Sequence, residues 1–380
     1  MASKKLHVAL LFGGNSSEHD VSKRSAHNVY DAMDKDKYDV SLFMFSKDGI
    51  LLGNDDSLRI FNGEPEDEVV KEAYAKMDLD SPLAPIAALN QAKEIDFFLP
   101  IIHGNLGEDG TVQGLFRLLK KPYAGCDIAA SAIAFDKDLT KKILNQAGIR
   151  NTAYLLLTPD NRDAYSWETV KDELGDLVFI KPAKQGSSVG IHKVNTADEY
   201  EAALDDAFRY GRKVLAEAGI DHPQEIEISM LGNDKVLASK TGAVRVPSGD
   251  AFYDYNNKFV DASKVVFDLP ARISQSLSEE ITTMAIDAYR ALGLTGFCRF
   301  DFLVDSNGVP YLNEPNTLPG FTNISLFPQM WEISGIKYAD LIDRIIQLGI
   351  DEFKKNSQIS YSFQALGKER VGKKNYADNK

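Results

Sequence analysis

The sequence predicts an α/β chain, with a parallel α/β unit first and a mixed α+β portion behind it. Three observations carry this expectation. Apolar strands alternate with helical stretches through the first third of the chain. One of those strands, in DFFLPIIHG, is apolar throughout, as strands covered on both faces are. Much later, Asn307-Gly308 separates two alternating segments, the strongest short signal for an antiparallel hairpin.

Length and composition set the outer bounds. At 380 residues the chain has room for two or three domains, and 44% hydrophobic residues is ordinary for a globular protein with sizeable cores. A formal net charge of −13 argues against nucleic acid and against an anionic membrane surface as partner. No apolar run approaches the roughly 18 residues of a membrane span. MASKKLHVALLFGG runs straight into a strand without the pattern of a cleaved leader. Only Cys126 and Cys298 occur, too few for a disulfide framework, and both read as buried small side chains in a reducing cytosol. A cytoplasmic enzyme with neither nucleic acid nor membrane as partner is expected.

Taken in order, HVALLFGG is a buried strand ending in glycines. A helix should follow from Ser17, with Ser17 and Asp20 at capping-box spacing and Ala26, Val29, Tyr30 and Met33 on one face. YDVSLFMFS and DFFLPIIHG are the next strands. A second section opens near Cys126 with the helix DKDLTKKILNQAG, the strand VFIKP, a Gly/Ser loop and the strand KVLAE. From about Gln224, EIEISML and KVLASKTGAV begin a third section, in which the helix ITTMAIDAYRALG precedes the hairpin. The closing LGKERVGKKNYADNK is a polar, basic tail. The domains expected are 1–125, 126–221 and 222–362, with 363–380 as tail.

The hairpin concentrates chemistry. If Asn307-Gly308 is a two-residue turn, Ser306 pairs with Val309, Asp301 falls opposite Glu314, and Arg299 falls opposite Asn316. Directly opposed residues share a face, roughly 5 Å apart at Cβ. Two facing carboxylates and an amide oxygen suit a hard divalent cation such as Mg²⁺, and the neighbouring Arg suits phosphate or a developing oxyanion. A plain solvated polar face is the competing reading of the hairpin alone.

Three other places could carry chemistry. Lys184–Gly190 (KQGSSVG) follows a strand and Lys181; its small residues let backbone N–H groups approach phosphate, although no Walker A loop occurs. Lys137 and Lys258 are further candidate phosphate ligands, each readable alone as a solvated surface lysine. FGGNSSEHDVS places Glu18 at a helix start, where it either grips a substrate ammonium or complements the helix dipole. IIHGNLGEDGTVQG presents His103, Glu108 and Asp109 in a similar strand-end loop.

Together FGGNSSEHDVS, HGNLGEDG, FDKDLTK, KPAKQGSSVG, FYDYNNKF and RFDFLVDSNGVPYLNEPNTLPGFTNISL closely resemble the D-alanine–D-alanine ligase family of the ATP-grasp superfamily. They run in the family's order over roughly residues 6–330. The resemblance implies a three-domain ATP-grasp fold and an ATP-dependent ligase that makes a peptidoglycan precursor through a D-alanyl phosphate. It implies two Mg²⁺ ions, with Mn²⁺ as a substitute, held by Asp301, Glu314 and Asn316. Lys137, Lys181 and Lys258, with Ser187 and Ser188, would meet ATP phosphates; Glu217 would meet the adenine amino group and Glu225 the ribose. Glu18 would hold the ammonium of the first D-alanine, Arg299 and the Gly320 N–H the oxyanion, and Ser325 and Leu326 the carboxylate of the second substrate. Residues 246–261 match a mobile lid, and a homodimer is expected.

One departure bears on specificity. Many family members carry a lid Tyr that links the helix-start Glu to the loop Ser; here it is Phe259, which cannot bridge Glu18 and Ser187. In the family, Phe at this place goes with D-lactate as second substrate. A physical reason exists: the D-alanine amine is largely protonated at neutral pH and must be deprotonated to attack, whereas a neutral hydroxyl binds as it is. The sequence therefore points to the D-alanine–D-lactate branch, with D-alanine–D-alanine ligation as the alternative. His103 is the candidate base. A non-catalytic ATP sensor is the reading from another class; the acidic pair and Arg299 argue against it, since binding alone does not require that Arg. A carboxylase of the same superfamily fits HGNLGEDG and GGNSSEHDVS poorly.

Overall fold

The computed structural model describes residues 4–245 and 266–360. The first sheet is four-stranded, in the order β3-β2-β1-β4, from β1 (Leu6–Gly13), β2 (Tyr38–Phe45), β3 (Leu51–Leu52) and β4 (Phe97–Pro100). β2, β1 and β4 are parallel and the short β3 closes the edge antiparallel. Helices α1 (His19–Ala32), α2 (Asn54–Phe61), α3 (Glu66–Tyr74) and α4 (Thr111–Leu118) flank it. The continuous apolar pattern has the expected cause, because both faces are buried. Val8, Leu10 and Phe12 pack in one core, and Ala9 and Leu11 in another with Val112 and Phe116 of α4.

Two helices, α5 (Ile128–Phe135) and α6 (Lys137–Gln146), lead into a second four-stranded sheet. It comprises β5 (Tyr154–Leu157), β6 (Val178–Pro182), β7 (His192–Val194) and β8 (Val214–Ala218), ordered β5-β8-β6-β7 and antiparallel throughout. Helices α7 (Trp167–Leu174) and α8 (Ala197–Ala207) pack on it. The third sheet holds β9 (Gln224–Leu231), β10 (Leu237–Ala238), β11 (Gly242–Arg245), β12 (Val266–Asp268), β13 (Phe297–Val304) and β14 (Pro310–Asn316). It runs β12-β11-β9-β13-β14, with β10 beside β9. Helix α9 (Gln275–Ala291) joins α5 and α6 on its apolar face, where Ile226, Ile228, Phe300 and Phe302 are buried. Helices α10 (Leu326–Ile333) and α11 (Tyr338–Ser357) end the described chain. α11 puts Leu341, Ile342, Ile345 and Ile346 into the core beside β1, so first sheet and C-terminal helix share one interior.

Four local expectations change. α1 begins at His19 and its N-cap Glu18 makes no side-chain cap. Ser16 takes the organising role expected of Ser17: its hydroxyl accepts the Glu18 N–H and donates to the His103 carbonyl at 2.7 Å. KVLASKTGAV breaks into β10 and β11, because Ser239 turns to bond Ser229 through backbone and side chain. α9 starts six residues earlier than the ITTMAID pattern, capped by Ser274, whose Oγ accepts the Leu277 N–H. The lid at 246–261, with Lys258 and Phe259, and the tail at 363–380 lie outside the described residues.

The hairpin reaches its expected pairing by a different route. Asp301 does face Glu314, and Arg299 faces Asn316. The loop, however, is three residues long, because Val304 pairs with Pro310 and the Asp305 N–H bonds the Val309 carbonyl. Gly308 alone takes positive φ, at 78°, the usual form of a type I turn closed by a left-handed glycine. A register shift between Asp301 and Phe302 then inserts Asn313 as an extra residue in β14 and restores the pairing. The two one-residue departures cancel. A side chain at Gly308 meets open space but keeps the left-handed backbone. Gly308→Val should therefore cost about 1–2 kcal/mol of stability in urea unfolding, with catalytic turnover retained.

Candidate active site

Alternation on β9, β13 and β14 sends one set of side chains into the core and the other onto an open face. That face carries Glu225, Glu227, Arg299, Asp301, Glu314 and Asn316 in facing register. Arg299 grips Asp301 with two 2.7 Å bonds, Nε to Oδ1 and a terminal nitrogen to Oδ2, and its Nε lies 3.0 Å from Glu227 Oε2. Burial would lower the guanidinium pKa, but Asp301 and Glu227 raise it well above its usual value. The Asn316 amide also donates to Asp301, at 3.0 Å. Glu314 is held by Lys137 Nζ at 3.1 Å, which donates to the Gln185 carbonyl at 2.8 Å as well. Lys137 opens α6, whose N-cap Asp136 accepts the Leu139 N–H.

Opposite this face stand the strand-end loops of the first sheet. His103 Nδ1 lies 2.7 Å from the Leu318 carbonyl, so that nitrogen carries the proton, and Nε2 faces Ser25 Oγ at 3.3 Å. Glu108 takes the Leu318 N–H on Oε1 at 3.2 Å and the Gly104 N–H on Oε2 at 2.9 Å. His103 and Glu108 thus hold both backbone groups of Leu318. Burial depresses the His103 pKa, against the nearby Glu18. Burial, reinforced by Glu18, pushes Glu108 up to about 7.

The loop after β6 supplies a third wall. Ser187 and Ser188 both adopt left-handed backbone, at φ 52° and 59°, an arrangement that costs energy for residues with a Cβ and concentrates at ligand sites. The Ser187 hydroxyl is buried and has no hydrogen-bond partner among the described residues. Glu18 faces this loop: a Cβ added to Gly186 would sit 3.4 Å from Glu18 Oε2. A Cβ on Gly320 would meet Ser325 Oγ at 2.8 Å, so a side chain there would displace the Ser325 hydroxyl. Ser325 accepts the Thr322 N–H at 3.0 Å and does not cap α10, leaving that helix start turned to the cavity.

A cavity of about 930 Å³ connects these walls. Glu18, His103, Lys137, Ser187, Arg299 and Glu314 line it, as do Asn316, Gly320, Ser325 and Leu326. Asp301 is not among the lining residues and is bonded to Arg299, which is. Lys181, Ser188, Glu217 and Glu225 do not line it; Lys181 and Glu217 instead pair at 3.0 Å within the second sheet. Glu227 and Lys141 join the set expected from the sequence. Glu227 was legible, because EIEISML alternates it onto the face of Glu225. The donor set of Asp301, Glu314 and Asn316 fits a hard divalent ion, once the Asn316 amide presents its oxygen. Among the described residues, the three His or acidic side chains with ligand atoms within 4.8 Å of one another are His19, Asp20 and Glu66. There Glu66 is already engaged by His19 and Lys23.

Because its folded pKa is raised, Glu108 contributes stability fully below its ordinary 4.5 and loses it as pH rises through about 7. Glu108→Gln cannot ionise. Relative to wild type it should gain roughly 3 kcal/mol between pH 4.5 and 8 in urea unfolding, at about 1.4 kcal/mol per unit. A pH-independent difference would show that Glu108 does not titrate in this window.

Two family profiles match, one described as D-ala D-ala ligase N-terminus over residues 7–126 and one as D-ala D-ala ligase C-terminus over 143–347. A D-alanine–D-alanine ligase of Limosilactobacillus fermentum is 73% identical over 376 residues, 99% of this chain and 100% of that one. One of Leuconostoc citreum is 50% identical over 375 residues, 98% and 100% of the two chains. Among solved structures, the D-alanine–D-alanine ligase of Coxiella burnetii superposes with TM-score 0.77 at 32% identity, covering 93% and 97%. The VanG D-Ala:D-Ser ligase of Enterococcus faecalis gives 0.74 at 29% identity, covering 91% and 100%. Nothing in these names supports the D-lactate branch expected from Phe259. With profiles over both halves and relatives matched end to end, the chain belongs to the D-alanine–D-alanine ligase family of ATP-dependent, ATP-grasp enzymes.

Proposed function

We propose that the protein joins two molecules of D-alanine at the cost of one ATP, making the dipeptide of a peptidoglycan precursor. The observation that carries this is the convergence of Glu18, Arg299 and Glu314 on one cavity, in a chain 73% identical to a D-alanine–D-alanine ligase. D-lactate as second substrate is the other reading, and Phe259 favours it. A cytoplasmic location and a homodimer complete the proposal and rest on the family resemblance.

Glu18 holds the ammonium of the first D-alanine, whose carboxylate oxygen attacks the γ-phosphorus as ADP leaves. Asp301, Glu314 and Asn316 would hold Mg²⁺, which when bound offsets phosphate charge; two ions are proposed, with Mn²⁺ as a substitute. Lys137, Lys181 and Lys258, with Ser187 and Ser188, cradle the phosphates, Glu217 accepts from the purine amino group, and Glu225 meets the ribose. The second substrate, its carboxylate at Ser325 and Leu326, attacks the acyl carbon of the D-alanyl phosphate. The resulting oxyanion rests against Arg299 and the Gly320 N–H until phosphate departs. The attacking group loses one proton. His103 is poorly placed to take it, since Nδ1 is bound to Leu318 as an N–H and Nε2 faces Ser25.

Supplied with ATP, D-alanine and D-lactate together from pH 6 to 9, the enzyme should release mainly dipeptide. Predominant ester at pH 6–7 would favour the D-lactate reading, and Phe259→Tyr should then restore dipeptide. Glu314→Ala should lose at least about 100-fold in ATP turnover while remaining folded by circular dichroism. Turnover retained in that variant would remove Glu314 from the metal site.

A further inference from the structure

We propose that Lys141 is a positioning residue for the nucleotide, fixing the Glu217 carboxylate through the Thr152 hydroxyl so that Glu217 stays an acceptor for a purine amino group. This deepens the proposed function and rests on its assignment of Glu217 to the base.

Lys141 is 1% exposed, among the most deeply buried large side chains of the molecule. Its Nζ donates to Thr152 Oγ1 at 2.9 Å, to the Thr152 carbonyl at 3.1 Å and to Asn151 Oδ1 at 3.4 Å, and stands 3.5 Å from Glu217 Oε2. Thr152 passes the contact on, its hydroxyl donating to Glu217 Oε1 at 2.7 Å. Lys181 reaches the same Oε1 from β6 at 3.0 Å. Tyr154 of β5 completes the surroundings, its ring 5.6 Å from Lys141 Nζ and its hydroxyl on Asp138.

Two lysines therefore share one carboxylate in a place where each extra buried charge is costly. Lys181 alone would neutralise Glu217, so balance does not account for Lys141. A division of labour does. Once a phosphate draws on Lys181, Glu217 would be left buried and uncompensated; Lys141 and Thr152 keep it charged and oriented. Burial would raise the Glu217 pKa, and the two lysines overcome this and hold it at about 2. The placement on α6 adds a second role. Lys137 and Lys141 lie one turn apart, about 6 Å along the axis, with Lys137 on Glu314 and Lys141 on Glu217. One helix thus sets the spacing between the phosphate end and the base end of the nucleotide. Asp136 and Asp138 anchor it to Lys213 at 2.7 and 2.9 Å.

A carboxylate that can only accept favours the amino group of adenine and repels the carbonyl of guanine. In Lys141→Met, KM for ATP should rise about tenfold with kcat held within about threefold, and the ratio of kcat/KM for ATP over GTP should fall at least about tenfold. Thr152→Val, a gentler change, should move both in the same direction and decides the matter if Lys141→Met does not fold. Calorimetric binding of ADP and GDP reads the same preference without turnover. Glu217→Gln must first collapse the ATP/GTP ratio; if it does not, the assignment of Glu217 to the base fails. If Glu217→Gln collapses the ratio while Lys141→Met and Thr152→Val preserve it, the positioning role of Lys141 is overturned.

Discussion

Like charge at close range on a half-buried face is the constraint around which this molecule is arranged. Asp301 and Glu314 face each other across two hydrogen-bonded strands, with Glu227 on the next strand over. Unscreened carboxylates at such spacing repel by several kcal/mol at the effective dielectric of a protein surface. The protein answers with two cations: Arg299 for Asp301 and Glu227, and Lys137 for Glu314. The same cations are those proposed above to meet phosphate and oxyanion. Residues that quiet these carboxylates are thus the ones proposed to act on the substrates.

Holding those groups against the substrate loops falls to one short piece of backbone. Leu318 is clasped on its carbonyl by His103 and on its N–H by Glu108, and Phe321 is tied to Ser25 of α1. The first and third sheets meet through these bonds and through α11. His103 and Glu108, in a loop that the sequence marks for chemistry, thus also fix where the 318–321 backbone lies.

Fold class and most strand positions were legible because alternation and apolar runs are local properties. VFIKP, for example, is β6 residue for residue. The hairpin shows where locality ends. Its loop length was misjudged, yet the adjacent polar residues Asn313 and Glu314 break the alternation of β14 and mark the compensating bulge. Nothing in DLTKKILN separates Lys141 from Lys142. One side chain is 2% exposed and the other 57%, and only packing against β5 and β8 decides which.

The route of the chain has one more consequence. Although α5 and α6 precede the second sheet, they pack into the core of the third. The chain then departs at Arg150, whose carbonyl and side chain bond Leu312 and Pro310 of β14, and returns at Gln224, beside Val304 of β13. Departure and return lie at one corner of the third sheet. The 151–223 segment is therefore a cassette with both ends on one doorstep, a connection that allows it to be exchanged or re-engineered whole without re-threading the sheet that bears the acidic pair.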